Sequence, residues 1–253
     1  MKKSINIADY LSPLILVSLI LSWALAVWIF HIEPWILPSP YHVLQELYLS
    51  AGLLWQNSLI TILECVLGLI IGSTIGITTA TLIHWSRAIR KSLYPLIVVS
   101  QTIPFIALAP LLTIWLGFGL LPKILIVALV TFFPITMSLI EGFSHIDRST
   151  LRTFEAMGAR KEQIFGYITI PSSIPHFFSG LRIATAYAFL SAVIAEWIGA
   201  KYGLGIMLTR ASRSFLVERV FAVVVVITII SLLMIWIVDK LHSLSTPWIK
   251  NTA

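Results

Sequence analysis

The stretch VFAVVVVITIISLLMIWIV, residues 220–238, contains no charged residue and is apolar on every face of a helix. It is long enough to cross the ~30 Å hydrocarbon core of a bilayer as an α-helix, which satisfies its own backbone hydrogen bonds. A strand of a membrane barrel would instead alternate apolar and polar residues over about ten positions. The stretch therefore predicts an all-α membrane protein, despite its many β-branched residues.

The composition of the whole chain agrees with a membrane environment. Its 253 residues are 58% hydrophobic and 11% charged, with a mean hydropathy of +0.95, whereas soluble domains carry about 25% charged residues. Five further apolar runs of similar length predict six transmembrane helices in total. We place these spans near residues 11–31, 57–83, 93–116, 120–142, 178–198 and 218–238.

The predicted spans define the organisation of the chain. We expect an N-terminal anchor helix and outer loop at 1–53, a transmembrane domain at 54–241 and a cytoplasmic tail at 242–253. Lys2 and Lys3 before an apolar run are also typical of a signal peptide, but this run is too long for a cleaved segment. The first helix is therefore expected to remain as an anchor.

Basic residues are unevenly distributed between the two sides of the predicted bundle. The first outer loop, residues 33–57, contains no Lys or Arg, and most basic residues fall in the segments on the opposite side. The predicted outer segments hold Lys123, Lys201, Arg210, Arg213 and Arg219. Because cytoplasmic loops retain positive charge, we predict that both termini are cytoplasmic. This asymmetry explains the net charge of +6 without a nucleic-acid partner.

Three glycines lie on one face of the second predicted span. Gly68, Gly72 and Gly76 recur every four residues, so another helix backbone can approach this face closely. We predict a helix-packing surface, and the alternative is direct contact with a molecule that crosses the membrane.

The third predicted span combines prolines with polar side chains. Pro104 and Pro110 each remove a backbone donor, and Ser100, Gln101 and Thr102 add polar groups at membrane depth. Such groups usually face protein or a wet cavity. The three polar residues are therefore candidates for a pathway through the membrane, although similar residues also occur in purely structural helices.

Two carboxylates fall deep within predicted spans. Glu64, in NSLITILECVLG at residues 57–68, is a further pathway candidate, with a structural charge as the alternative. Glu196, beside Trp197, is expected at the membrane interface. A charge at the bilayer centre costs about 2.5–3.5 kcal/mol, so either residue needs a partner if it is buried.

The segment FEAMGARKEQIFGYITIP, residues 154–171, interrupts the apolar pattern with charges. Upstream of it, Asp147 or Ser149 can cap a short helix. Leu151, Phe154 and Met157 recur every three residues on one face of that helix.

Gly158 and Pro171 mark where the next short helix is expected to begin and end. Gly158 permits a turn, and a second short helix, with Ile164, Phe165 and Ile168 as its apolar residues, is expected to end at Pro171. The apolar face must be covered, either by the membrane surface or by the groove of a partner protein.

The spacing from Gly158 to the pattern IxIP at residues 168–171 resembles the cytoplasmic loop signature of permease subunits of binding-protein-dependent ATP-binding cassette importers. That signature opens with Glu-Ala-Ala six residues before the glycine, where this chain has RTF at residues 152–154. The pair Glu155-Ala156 lies one helical turn nearer to the glycine. QTIPFIALAPLLTIWLGFG (101–119) and AEWIGAKYGLG (195–205) resemble the nitrate, sulfonate and taurine branch.

This resemblance covers roughly residues 54–241 and implies a type I importer permease with a cytoplasmic coupling helix between spans four and five. The coupling helix would insert into a cleft of a separate ATPase subunit. The residues carried over to this role are Leu151, Arg152, Phe154, Glu155, Ala156, Met157, Gly158 and Ala159, with the loop signature at Ile168, Ile170 and Pro171.

The same resemblance implies the partners and the location. It implies ATP-binding cassette ATPase subunits, an extracytoplasmic substrate-binding protein, and a second permease, either another copy of this chain or a near relative. The location would be the inner (plasma) membrane of a bacterial cell.

Two other classes of function are alternatives to an importer, and the first is an intramembrane enzyme. The six histidines are too scattered for a local metal pair, and there is no Gly-x-Ser-x-Gly elbow or P-loop. We therefore expect no catalytic residue, metal or cofactor in this chain. The single cysteine, Cys65, excludes an intrachain disulfide. A membrane scaffold without transport is the second alternative.

The substrate is the least determined property. Residues 174–200, MLTRASRSF (207–215) and the terminal PWIK resemble permeases for thiamine-precursor pyrimidines. Aliphatic sulfonates, taurine, nitrate and riboflavin stay open, because no charged cluster in the spans demands or excludes an anion.

Overall fold

The structure, a computed structural model, describes residues 7–247, which fold into α-helices joined by short turns. This confirms the all-α prediction. The helices are α1 (Ile7–Ile29), α2 (Pro40–Leu49), α3 (Ala51–Trp85), α4 (Arg87–Ser100), α5 (Phe105–Leu116), α6 (Leu120–Ser144), α7 (Arg148–Ala156), α8 (Lys161–Ile164), α9 (Ile170–Glu196), α10 (Leu204–Arg213) and α11 (Val217–Ser245). A π-turn at Phe165–Thr169 joins α8 to α9.

Four helices within the described residues are each long and apolar enough to cross a membrane: α3, α6, the continuous helix Lys161–Glu196 and α11. The pair α4 and α5 passes the same test only when taken together. The apolar stretch Leu14–Ile29 of α1 is shorter. The count of six spans and the domain limits stay predictions. Lys2, Lys3 and the last three residues of PWIK lie outside the described residues.

The third predicted span is not one straight helix. α4 and α5 are bent by 96° at residues 101–104, where Pro104 lacks an N–H and disfavours helical geometry in the residue before it. Pro110, in contrast, lies inside α5. The break leaves a short piece of irregular backbone carrying Gln101 and Thr102.

The fifth predicted span begins earlier than expected. A single helix runs from Lys161 through the π-turn to Glu196, whereas the sequence predicted a span at 178–198 and a short helix ending at Pro171. Pro171 lies instead in the first turn of α9. The π-turn at Phe165–Thr169 shifts the hydrogen-bond register just before Pro171. The N–H that Pro171 lacks therefore falls where the π-turn meets α9, and the helix continues.

The centre of the fold is α6, which lies between α3 and α9. The structure places the three-glycine face of α3 against it. A Cβ at Gly72 would lie 2.7 Å from the carbonyl oxygen of Ala128, and one at Gly76 would lie 3.2 Å from the Ile135 side chain. The glycines therefore allow α3 and α6 to approach more closely than larger residues would.

The long helices give the bundle two ends. The α2 end contains α2, α10 and the turn between α5 and α6, and the α7 end contains α7 and the turn between α3 and α4. The charged α7 segment lies at the α7 end, and the Glu64–Lys123 ion pair lies toward the α2 end.

Candidate functional site

The α7 segment, residues 147–160, connects α6 to the Lys161–Glu196 helix at the α7 end. Of the two predicted caps, the structure uses Asp147, whose carboxylate accepts a hydrogen bond from the Ser149 N–H at 3.0 Å. Hydrogen bonds from the Ser149 hydroxyl and N–H lower the pKa of Asp147. A negative charge is thereby held at the positive end of the helix dipole.

Gly158 terminates this short helix. Its φ of 80° lies in the left-handed region, which glycine adopts without the steric cost of a Cβ. A Cβ at this position would meet no atom within 4 Å, so the backbone conformation, and not crowding, favours glycine here. The turn then redirects the chain into α8.

The α7 segment presents apolar side chains at its surface. Met157 is 76% exposed, and Leu151, Phe154 and Ala159 are only partly buried. The other residues carried over from the family loop are exposed: Arg152, Glu155, Ala156 and Gly158. A short helix with an uncovered apolar face is suited to bind a partner.

The residues that follow anchor the α7 segment to the bundle. Phe165, the first residue of the π-turn, lies 5.3 Å from His84, 5.4 Å from Trp85 and 5.9 Å from Phe143 between ring centroids. This aromatic cluster joins the π-turn to the ends of α3 and α6. Sequence reasoning missed it, because its members are far apart in the chain and none carries a motif of its own.

The three residues of the loop signature have different environments. Ile168 is buried, Pro171 is partly buried and Ile170 is exposed. The structure therefore assigns packing to Ile168 and leaves Ile170 on the surface of the helix.

A cleft of about 740 Å³, the α4–α5 cleft, lies beside the helix break. Ser100 and Gln101 line it, together with residues of α6 and α9. Thr102 does not line this cleft, and its hydroxyl donates to the Val99 carbonyl at 2.8 Å. Of the four sequence candidates for the pathway, the structure thus brings two together at one cavity.

The fourth candidate, Glu64, lies elsewhere, in a buried polar network toward the α2 end. Its carboxylate accepts a hydrogen bond from the Lys123 ammonium at 3.0 Å, and the Glu64 side chain is fully buried. Lys123, which the sequence placed among the outer basic residues, is only 6% exposed. The ion pair fastens α3 to the beginning of α6.

Glu196 belongs to the same region. The sequence predicted a position at the membrane interface; within the fold the residue is fully buried, and its depth in the membrane stays a prediction. It accepts hydrogen bonds from the Thr61 hydroxyl at 2.7 Å and from the Gly205 N–H. Two acidic side chains are therefore held inside the protein, each by at least one specific donor, as the burial of polar groups requires.

The turn after α9 is fixed by two further hydrogen bonds to side chains of α3. The Gly203 N–H donates to Asn57 Oδ1 at 2.7 Å, and the Leu204 N–H donates to the Thr61 hydroxyl at 2.9 Å. The family-like stretch AEWIGAKYGLG is thus attached to α3 through Asn57 and Thr61. The polar spacing of these two residues, four apart on α3, was the signal that could have indicated this role.

A second ion pair ties α2 to α11. The Arg219 guanidinium donates to Glu46 at 2.6 Å. Partial burial raises the pKa of Glu46, but hydrogen bonds from Ser50 and Arg219 outweigh it, and the net pKa is lowered. Glu46 is therefore held as a carboxylate on this surface helix.

Within residues 7–247, no three His, Cys, Asp or Glu side chains are grouped so that they could hold a metal ion.

Comparisons with known proteins extend these observations. Residues 72–251 match the family described as "Binding-protein-dependent transport system inner membrane component". The chain is 36% identical to the formylaminopyrimidine transport permease protein ThiX of Halalkalibacterium halodurans over 220 residues, which cover 87% of this chain and 88% of the relative. It is 31% identical to the taurine transport system permease protein TauC of Escherichia coli K12, with coverage of 86% and 82%.

A solved structure agrees on the fold. A chain of the MetNI methionine ABC transporter, in an inward-facing conformation, matches with a TM-score of 0.70 at 19% identity. The match covers 78% of this chain and 98% of that chain. At this identity the comparison speaks for the fold alone.

Proposed function

The chain belongs to the family of binding-protein-dependent transport system inner membrane components, and we propose that it forms the pathway by which an ATP-driven importer moves a small solute into a bacterial cell. ATP hydrolysis is assigned to separate ATPase subunits, since the sequence has no P-loop. An extracytoplasmic binding protein delivers the solute. Closure and reopening of the ATPase pair alternate the access of the pathway between the two sides.

The observation that carries this proposal is the α7 segment. It is a capped helix between two long apolar helices, and it exposes Met157 beside the partly buried Leu151 and Phe154. An apolar side chain inserted into a groove of a partner is a common anchor of protein interfaces. We therefore assign this segment to the contact with the ATPase.

Orientation and assembly follow from the same assignment. The ATPase is cytoplasmic, so the α7 end faces the cytoplasm and the α2 end faces outward, with both termini inside. A second permease, most simply another copy of this chain, completes the pathway, since the helices of one chain are too few to enclose it.

The proposed cargo is an aminopyrimidine of the kind used as a thiamine precursor. The support is the 36% identity to a permease named for formylaminopyrimidine, compared with 31% to a permease named for taurine. Sulfonates, taurine, nitrate and riboflavin are the alternatives that an experiment must separate.

Reconstitution tests the function and the cargo together. The permease, its ATPase and its binding protein are placed in liposomes, and ATP hydrolysis is measured with an aminopyrimidine, taurine, riboflavin and nitrate in turn. We expect stimulation by the aminopyrimidine alone. Stimulation by taurine instead would keep the importer and replace the cargo, and failure to assemble with any ATPase would favour a membrane scaffold.

A further inference from the structure

We propose that the α4–α5 cleft is a cargo-binding site within the permease, built for an uncharged, planar heterocycle. The inference rests on the importer function proposed above and adds a site and a chemical class to it. Its volume of about 740 Å³ lies within the range of small-molecule pockets, about 300–1,000 Å³. It can therefore hold a substituted six-membered ring together with water.

The position of the cleft at a helix break supports a wet interior. Residues 101–104 between α4 and α5 are not helical. Irregular backbone at membrane depth is tolerated where it is buried in protein or lines a water-filled cavity. Secondary transporters bind their cargo at such discontinuous helices.

Part of the wall of the cleft is aromatic. Tyr94 of α4, Phe105 of α5, Phe133 of α6 and Tyr187 of α9 all line it, so four different helices each contribute one ring. Aromatic faces bind flat heterocycles by stacking, and this contact requires no charge on the ligand.

A polar edge lies beside these rings. Gln101 lines the cleft and is exposed, and its amide group can both donate and accept hydrogen bonds. Within the described part of the chain, no hydrogen bond occupies this side chain. An amide free in this way complements the alternating ring nitrogen and amino group of an aminopyrimidine, while Ser138 adds a hydroxyl to the same cleft.

The charges in the cleft argue against an anionic cargo. Among the described residues that line it, the charged ones are Arg90 and Glu141, whose formal charges cancel. A sulfonate or nitrate would require a surplus of cationic or N–H donors to replace its hydration. A neutral ring meets no such requirement.

Direct binding tests the site without the binding protein. The permease–ATPase complex in lipid nanodiscs is dialysed against a radiolabelled aminopyrimidine, with wild type, Gln101→Leu and Phe133→Ala compared. We expect saturable binding that each substitution weakens about tenfold. Gln45→Leu, at an exposed glutamine of α2 outside the cleft, should stay within about twofold of wild type.

The outcomes separate this inference from the proposed function. If the complete transporter imports the aminopyrimidine but the complex binds none, or binds it unchanged after Gln101→Leu and Phe133→Ala, the cleft is not the site and the importer function stands. If taurine displaces the labelled ring from the cleft, the assigned chemical class is wrong. If the complete transporter imports only a sulfonate, the cargo proposed above fails, and the inference fails with it.

Discussion

Lys123 is the ion-pair partner of Glu64 inside the bundle. The two side chains are 3.0 Å apart and both are buried, while Glu196 is held by the Thr61 hydroxyl and the Gly205 N–H. Removing one partner of a buried ion pair leaves the other as an uncompensated charge. We therefore interpret Lys123 as a structural residue and not as a marker of membrane orientation.

Replacing Lys123 by Met removes the charge and keeps the length of the side chain. We expect the detergent-solubilised protein to lose about 3–5 kcal/mol of unfolding free energy, measured by denaturant titration. Lys201→Met is the matched control, because Lys201 is exposed and makes no ion pair within the described residues; its effect should stay within about 0.5 kcal/mol. Equal losses in the two variants would contradict the structural role of Lys123.

At the scale of one element, α7 is too short to be stable through its own hydrogen bonds. Isolated helices shorter than about 12 residues are marginal in water, and α7 spans Arg148–Ala156. Its cap at Asp147 and the anchoring of the neighbouring Phe165 in the aromatic cluster fix where it begins and how it connects to the bundle. A firmly connected helix with an exposed apolar face can transmit a displacement from a partner to α3 and α6.

The substitution Met157→Asp places a charge at the proposed contact with the ATPase. We expect co-purification of the ATPase with the permease to fall about tenfold or more, since charge at the centre of an apolar contact is strongly unfavourable. Leu244→Asp is a matched control at 75% exposure, against 76% for Met157. Membrane insertion of both variants is checked by fractionation. Retention of the ATPase by Met157→Asp would place the contact elsewhere.

For the molecule as a whole, the distribution of basic residues between the two ends of the bundle predicts how it is oriented in the membrane. The structure separates the α2 end from the α7 end along the long helices α3, α6 and α11. The first outer loop, without Lys or Arg, belongs to the α2 end, and Arg87, Arg90 and Lys91 begin α4 at the opposite end. The positive-inside rule then predicts that the α7 end faces the cytoplasm, as proposed above.

Single engineered cysteines test this orientation. In a Cys65→Ala background, Tyr48→Cys lies on α2 and Ser149→Cys on α7, and both positions are exposed. A membrane-impermeant maleimide should label the Tyr48→Cys variant in intact spheroplasts and the Ser149→Cys variant only after permeabilisation. The reverse pattern would invert the proposed topology and separate α7 from a cytoplasmic ATPase.

The sequence by itself determined the features that depend on neighbouring residues. Hydropathy predicted the all-α membrane fold, and local spacing predicted the cap at the start of α7, the turn at Gly158 and the glycine face of α3. These signals are local because helix propensity, capping and lipid solubility are set within a few turns of a helix.

Tertiary structure alone decided which distant side chains meet. The pairing of Glu64 with Lys123 and the binding of Glu196 by Thr61 depend on the register between packed helices. The α4–α5 cleft likewise requires residues of α6 and α9 to lie beside the break at Pro104. A polar residue in an apolar run indicates that some partner is needed, but the partner is chosen by how the helices approach one another. For that reason the sequence indicated that Glu64 and Glu196 need partners if buried but did not identify Lys123 and Thr61 as those partners.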